Sequence, residues 1–183
     1  MKYYISDLHI AHKNIIAFDK RPFWNLDDMH RELIERWNGV VKPKDEVYVL
    51  GDFAFNKKKG LEIIKQLNGT KYLIMGNHDD LSEPLKSEFY WIKEYAEVYD
   101  TGRLSVLCHY PIAHWNKQDC GAIHLYGHIH YRLSRDYQPY LEYKEMLKVM
   151  GRDVHSYNVG CMMPYMDYTP RTLDYIIEHG EGY

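Results

Sequence analysis

The chain has 183 residues, 45% of them hydrophobic and 27% charged, with a formal net charge of -3. That length allows one domain over residues 1–183 with a sizeable buried core, and the composition is that of a globular protein. The slight acidity argues against a non-specific nucleic-acid coat, so stable nucleic-acid binding is not expected; a nucleotide-like substrate stays open, because bound metal ions supply local positive charge.

Residues 2–6 form a short apolar run, read as a first buried strand. A helix is expected from Asn25-Leu26-Asp27, with Met29, Leu33, Ile34 and Trp37 at helical spacing and Gly39 as its stop. Residues 47–50 read as a second strand, 61–67 as a second helix ended by Asn68-Gly69, and 71–75 as a third strand. Such alternation implies right-handed crossovers and a largely parallel sheet. Further strands are expected at 98–99, 104–108, 123–126 and 157–159, too close together for crossover helices throughout, so a second sheet should be mixed or antiparallel. Helices are expected over 140–150 and 173–178.

Residues with metal-binding chemistry follow these apolar runs. The blocks are Asp7-Leu8-His9, Gly51-Asp52, Gly76-Asn77-His78-Asp79, Cys108-His109 and Gly127-His128-Ile129-His130. Residues two apart share a strand face, so at a strand end Asp7 with His9, or His128 with His130, can turn toward one ion. Gly51 lets the backbone turn sharply and sets Asp52 at the carboxyl edge of the sheet, where open α/β sheets bind ligands. Carboxylate, carboxamide and imidazole together suit a pair of divalent first-row metals. A centre of that kind activates water and hydrolyses phosphate esters. Each block alone is a weak signal; the ordered set is a strong one.

The set resembles the calcineurin-like metallophosphoesterase superfamily, whose pattern D-x-H, G-D, G-N-H-[DE], H and G-H-x-H is complete between Asp7 and His130. The details around His12, Arg21-Pro22-Phe23 and His109-Tyr110-Pro111 are similar to its small bacterial and phage members. The resemblance implies an α/β fold: a four-layer α-β-β-α sandwich with two mixed sheets. It also implies a dinuclear centre in which Asp7, His9 and His130 hold one ion, Asn77, His109 and His128 hold the other, and Asp52 bridges both. Manganese is the ion expected first, with iron, zinc or nickel as alternatives, since imidazole suits these better than magnesium or calcium. A hydroxide bridging the ions would attack phosphorus in line with the leaving oxygen, and His78 would donate a proton or a hydrogen bond beside the phosphate.

The second block departs from the G-D-x-x-D-R-G of the superfamily's protein phosphatases: Phe55 and Asn56 stand where the second acid and the arginine would be. A dianionic monoester loses most without that clamp, so a small phosphodiester is the expected substrate and a phosphomonoester the lesser one. A nuclease or nucleotide phosphatase is the alternative within the enzyme class; a catalytically silent metal-bound scaffold is the alternative outside it. His12 and Arg21 are candidate substrate contacts in place of the clamp. Asp79 is the nearest candidate partner for His78, and Trp115 is either a stacking surface or a loop anchor. Lys57-Lys58-Lys59 reads as a solvated helix start, and residues 131–153 as a surface helix, a lid or a dimer contact.

The cysteines, Cys108, Cys120 and Cys161, form no CxxC pair, which argues against a zinc ribbon or a disulfide framework and fits a reducing compartment. No stretch is apolar enough to span a membrane, and the few residues before Asp7 leave no room for a signal peptide. The cytoplasm is therefore the expected location.

Overall fold

The computed structural model describes residues 1–131, 135, 137–152 and 154–180. In the first half strand and helix alternate: β1 (Lys2–Ile5), α1 (Ile15–Phe18), α2 (Leu26–Val40), β2 (Glu46–Val49), α3 (Lys57–Ile64), β3 (Thr70–Ile74), α4 (Glu83–Lys86) and β4 (Phe89–Lys93). The strands pair in the order β1-β2-β3-β4, all parallel. The second half holds β5 (Tyr95–Asp100), β6 (Arg103–Cys108), β7 (Ile123–Tyr126), α5 (Tyr137–Val149), β8 (Ser156–Asn158) and α6 (Leu173–His179). Here β5 runs antiparallel to β6, while β6, β7 and β8 are mutually parallel, so this sheet is mixed.

Side-chain alternation sorts the layers. On β1 the Tyr3 hydroxyl donates to the Val40 carbonyl of α2 at 3.1 Å, while the Tyr4 hydroxyl faces the other way and donates to Asp100 of β5 at 3.0 Å. Tyr4, Tyr48 and Tyr72 share one row across β1, β2 and β3 and stack at 5.5 and 4.7 Å between ring centres, which fills the gap toward the second sheet. The second sheet repeats the logic. Leu107, Ile123, Leu125 and Tyr157 join the main core, whereas Leu104 and Val106 form a separate cluster with Trp115 and Leu147 of α5. Helices thus flank two facing sheets.

The helix α2 follows from its sequence. The Asn25 side chain accepts from the Asp28 N–H at 2.9 Å, a regular N-cap. Met29, Leu33 and Trp37 then bury one face, each contributing about 1.5–3 kcal/mol. Gly39 does not stop the helix, which runs on through Val40; nothing forces a left-handed residue there, and the break comes from extended Val41 ahead of Lys42-Pro43. The helix expected over 61–67 starts earlier, because the Asn56 side chain accepts from the Lys59 N–H at 3.0 Å. It ends at Ile64, before Asn68-Gly69. Lys57, Lys58 and Lys59 are the solvated first turn. The edge strand β4 was not expected from the sequence, nor were α1 and α4.

Within residues 131–153, α5 lies on the outer face of the second sheet. The buried Lys144 ammonium donates to the Ser156 carbonyl at 2.7 Å, so this helix is a structural layer rather than a lid. Residues 132–134, 136 and 153 of that segment lie outside the described ones. Trp115 is a loop anchor: it is buried and donates to the Ala122 carbonyl at 2.9 Å.

Candidate metal centre

All five blocks lie at or just beyond the carboxyl ends of β1, β2, β3, β6 and β7. The two sheets bring these ends to one rim. There the Ser6 N–H donates to the Val159 carbonyl at 2.9 Å and the Cys161 N–H to the Ser6 carbonyl at 2.9 Å, joining β1 to the chain after β8. The loops after β1 and β2 stay laced together: Asp7 N–H donates to Gly51 O at 3.0 Å and His9 N–H to Asp52 O at 2.9 Å.

The backbone is strained where the candidate ligands sit. Asp7, His9, Asp52 and His128 have φ of 56°, 50°, 54° and 67°, a left-handed conformation that costs a side-chain-bearing residue about 1 kcal/mol or more. Gly51, with φ of 92°, has no room for a Cβ because the His109 ring lies against it. A Cβ on Gly127 would likewise run into Ser6 and Asp7.

The side chains form one continuous series of close approaches. His130 Nε2 lies 3.6 Å from Asp7 Oδ1 and 3.2 Å from His9 Nε2. His9 Nε2 lies 3.5 Å from Asp52 Oδ2, and that oxygen lies 3.6 Å from His109 Nε2. His109 Nε2 is 3.1 Å and His128 Nδ1 3.0 Å from the Asn77 carboxamide oxygen. Donor atoms of Asp7, His9 and His130 lie within 4.8 Å of one another, as do those of Asp7, Asp52 and His109. Metal–nitrogen and metal–oxygen bonds of about 2.0–2.2 Å put neighbouring ligand atoms roughly 3.0–3.5 Å apart. Gaps of 3.5–3.6 Å are too long for good hydrogen bonds but suit atoms facing a common ion.

Electrostatics agree. Burial pushes the Asp7 carboxyl up, but the His130, His109 and His9 imidazoles outweigh it and hold it below the usual range. Burial and the Asp7 charge push Asp52 up. Burial pushes His9 down to about 3, leaving a neutral ring with a free lone pair. For His130 burial acts downward, yet Asp19 and Asp7 prevail and hold it up at about 10. Two buried carboxylates thus attract positive charge to the spot where the imidazole nitrogens converge, which fits divalent cations.

The other expected residues fall into place unequally. His78 is exposed at the rim, with its ring centre 5.6 Å from that of His9; its N–H donates to Asp52 Oδ1 at 2.9 Å. Asp79 is not its side-chain partner. The buried Asp79 carboxylate accepts from the backbone of Asp52, Phe53 and Gly76 at 2.8–2.9 Å, tying the second block to the third. His12 lies beside the site, its ring 5.7 Å from His9 and edge-on to Phe55 at 4.7 Å. His12, Lys13, Asn14, Phe55 and Asn56 line a cavity of about 420 Å³ there. Arg21 departs from expectation. Its side chain has no exposed surface and donates to the Asp7 and Leu8 carbonyls at 2.9 and 3.0 Å and to Asp19 at 2.8 Å, so it cannot reach a substrate. Asp19, which belongs to no motif, also accepts from His130 Nδ1 at 2.6 Å. Its single hint in the sequence was its closeness to Arg21.

A family model for the calcineurin-like phosphoesterases matches residues 3–155. An uncharacterised protein of Methanocaldococcus jannaschii is 35% identical over 96% of this chain and 89% of its own length. The Gene 66 protein of Mycobacterium phage L5 is 27% identical, covering 70% of this chain and 76% of that protein. The crystal structure of a protein of unknown function from Aquifex aeolicus superposes with a TM-score of 0.71 at 27% identity, over 97% of this chain and 98% of that one.

Proposed function

The chain belongs to the calcineurin-like phosphoesterase family, and from that membership we propose that residues 1–183 act as one domain that hydrolyses a small phosphodiester with two divalent transition-metal ions. The observation that carries this reading is the unbroken series from Asp7 through His130, His9, Asp52, His109 and Asn77 to His128, with steps of 3.0–3.6 Å. Asp7, His9 and His130 would hold one ion, Asn77, His109 and His128 the other, and Asp52 both. Manganese is the ion we put first. When bound, such ions activate water and offset charge on the phosphoryl oxygens.

The protein's own groups then have separate tasks. Asp52 turns one oxygen, Oδ2, toward both His9 and His109 while Oδ1 accepts from the His78 backbone N–H, so Oδ2 would face both ions; the Asn77 carboxamide oxygen faces only His109 and His128. Asp79 fixes the backbone that aims Asp52 and Asn77. His78, exposed beside His9, is placed to give a proton to a leaving oxygen or a hydrogen bond to the phosphate. His12 borders the same space.

The diester preference is supported by the residues around the candidate centre. Phe55, 57% exposed, presents an apolar ring 6.2 Å from that of His78. Asn56 is engaged as a helix cap and Arg21 is sealed beneath Asp7, so neither supplies the charged clamp that a dianion needs. Among the described residues no helix is long and apolar enough to cross a membrane, and the free cysteines fit a cytoplasmic setting.

The test is metal analysis followed by assay. The protein should take up about two manganese ions per chain and should cleave bis-nitrophenyl phosphate with higher kcat/KM than nitrophenyl phosphate near pH 8. Fewer than one ion per chain would sink the two-metal reading; a tenfold monoester preference would sink the diester reading alone.

A further inference from the structure

We propose that Asp19 is the positioning residue of this centre: it holds the proton of His130 on Nδ1 and so presents Nε2 to the ion shared with Asp7 and His9. The inference rests on the two-metal reading and adds to it a residue outside the motif.

Asp19 caps the C-terminal end of α1, and its side chain is 2% exposed. Both carboxylate oxygens are engaged. Oδ1 accepts from His130 Nδ1 at 2.6 Å, across 111 residues of chain, and Oδ2 accepts from Arg21 Nε at 2.9 Å. Beside a guanidinium the carboxylate stays ionised and can only accept, so the imidazole hydrogen must lie on Nδ1. Nε2, which points at Asp7 Oδ1 and His9 Nε2, would be the ligand atom once an incoming ion displaces its proton. A carboxylate behind a ligating histidine fixes the ring and raises its basicity.

Arg21 explains why the carboxylate stays put. It binds Asp19 and the backbone oxygens of Asp7 and Leu8, so the loop that carries one ligand also fixes the group that orients another. Among the described residues, neither His109 nor His9 has this device. His109 turns Nδ1 to the neutral Leu50 carbonyl at 2.7 Å, and His9 Nδ1 is buried without a hydrogen-bond partner. Were Asp19 merely the counter-ion of Arg21, neutralising it would lower stability without singling out one ion.

The experiment compares full-length wild type with D19N, which keeps the shape and one acceptor oxygen but removes the charge. Manganese titration of metal-free protein by calorimetry should show one ion bound about 10–100-fold more weakly and the other unchanged. Activity lost by D19N should return at high manganese. Nitrogen-15 NMR of the zinc-loaded wild type should find the His130 proton on Nδ1 and the metal on Nε2, a readout that survives even if the variant folds poorly. A proton on Nε2, unchanged affinities in D19N, or equal weakening of both ions would overturn the role. Absence of any ion binding by the wild type would overturn the two-metal reading and this role with it.

Discussion

The two sides of the candidate centre are built to different standards. Asp7 and His9 are 1% and 4% exposed, Arg21 donates to the Asp7 carbonyl, and their partly exposed neighbour His130 is held from behind by Asp19. Across Asp52, His109 is fully buried against the Leu50 carbonyl, but Asn77 is exposed and His128 half-buried. One side is therefore more enclosed before any ion binds, while the other opens to solvent at Asn77 and beside Tyr110; His78 and Phe55 stand on the rim next to His9 and His12. Water and substrate should approach along the rim where His78, Phe55 and Tyr110 stand, and the more enclosed side should retain its ion.

The largest effect should come where the two sides meet. Asp52→Asn removes the group facing both, so turnover should fall at least a hundredfold, about 3 kcal/mol in the barrier. A variant keeping a tenth of wild-type activity would show that the sides do not share this carboxylate. Next, His78→Ala on the open rim should leave both ions bound while turnover drops roughly 10²-fold on substrates with poor leaving groups. Nitrophenolate, which needs no proton on leaving, should partly restore the rate. Equal defects on good and poor leaving groups would assign His78 to phosphate binding alone.

A smaller effect concerns the asymmetry itself. During slow dialysis against a chelator the ions should leave in two steps, and His128→Ala should retain about one ion per chain, the one on the Asp7 side. Loss in a single step would erase the distinction. The smallest lies far from the rim. Trp115→Phe, in the outer cluster beneath α5, gives up its hydrogen bond to Ala122 and should cost about 1 kcal/mol in thermal unfolding, with kcat/KM unchanged. A tenfold change in kcat/KM would mean that the outer layer is coupled to the centre.

Much of the site was legible in the chain because its blocks are short and end apolar strands. Asp7 with His9, and His128 with His130, keep their spacing whatever surrounds them, and each block falls where a strand end was expected. The strands β1, β2, β3, β6, β7 and β8 are within a residue or two of expectation, whereas β4 escaped notice because an edge strand of Phe89-Tyr90-Trp91-Ile92-Lys93 shows no clear alternation. Gly39 misled because a glycine can stop a helix but need not.

Local chemistry thus determined which residue types stand at which strand ends, and through them the family and the kind of centre expected. Only the tertiary structure decided the direction of each charge. Arg21 looked from its position like a substrate contact, yet it is turned inward onto the Asp7 and Leu8 carbonyls; Asp19, unremarkable in sequence, meets His130; Asp79 serves three backbone N–H groups rather than its neighbour His78. The reason is physical. A motif records covalent spacing, whereas the partner of a buried charge is set by which elements pack around it, since a desolvated charge must find its counter-charge or hydrogen bonds wherever the fold supplies them.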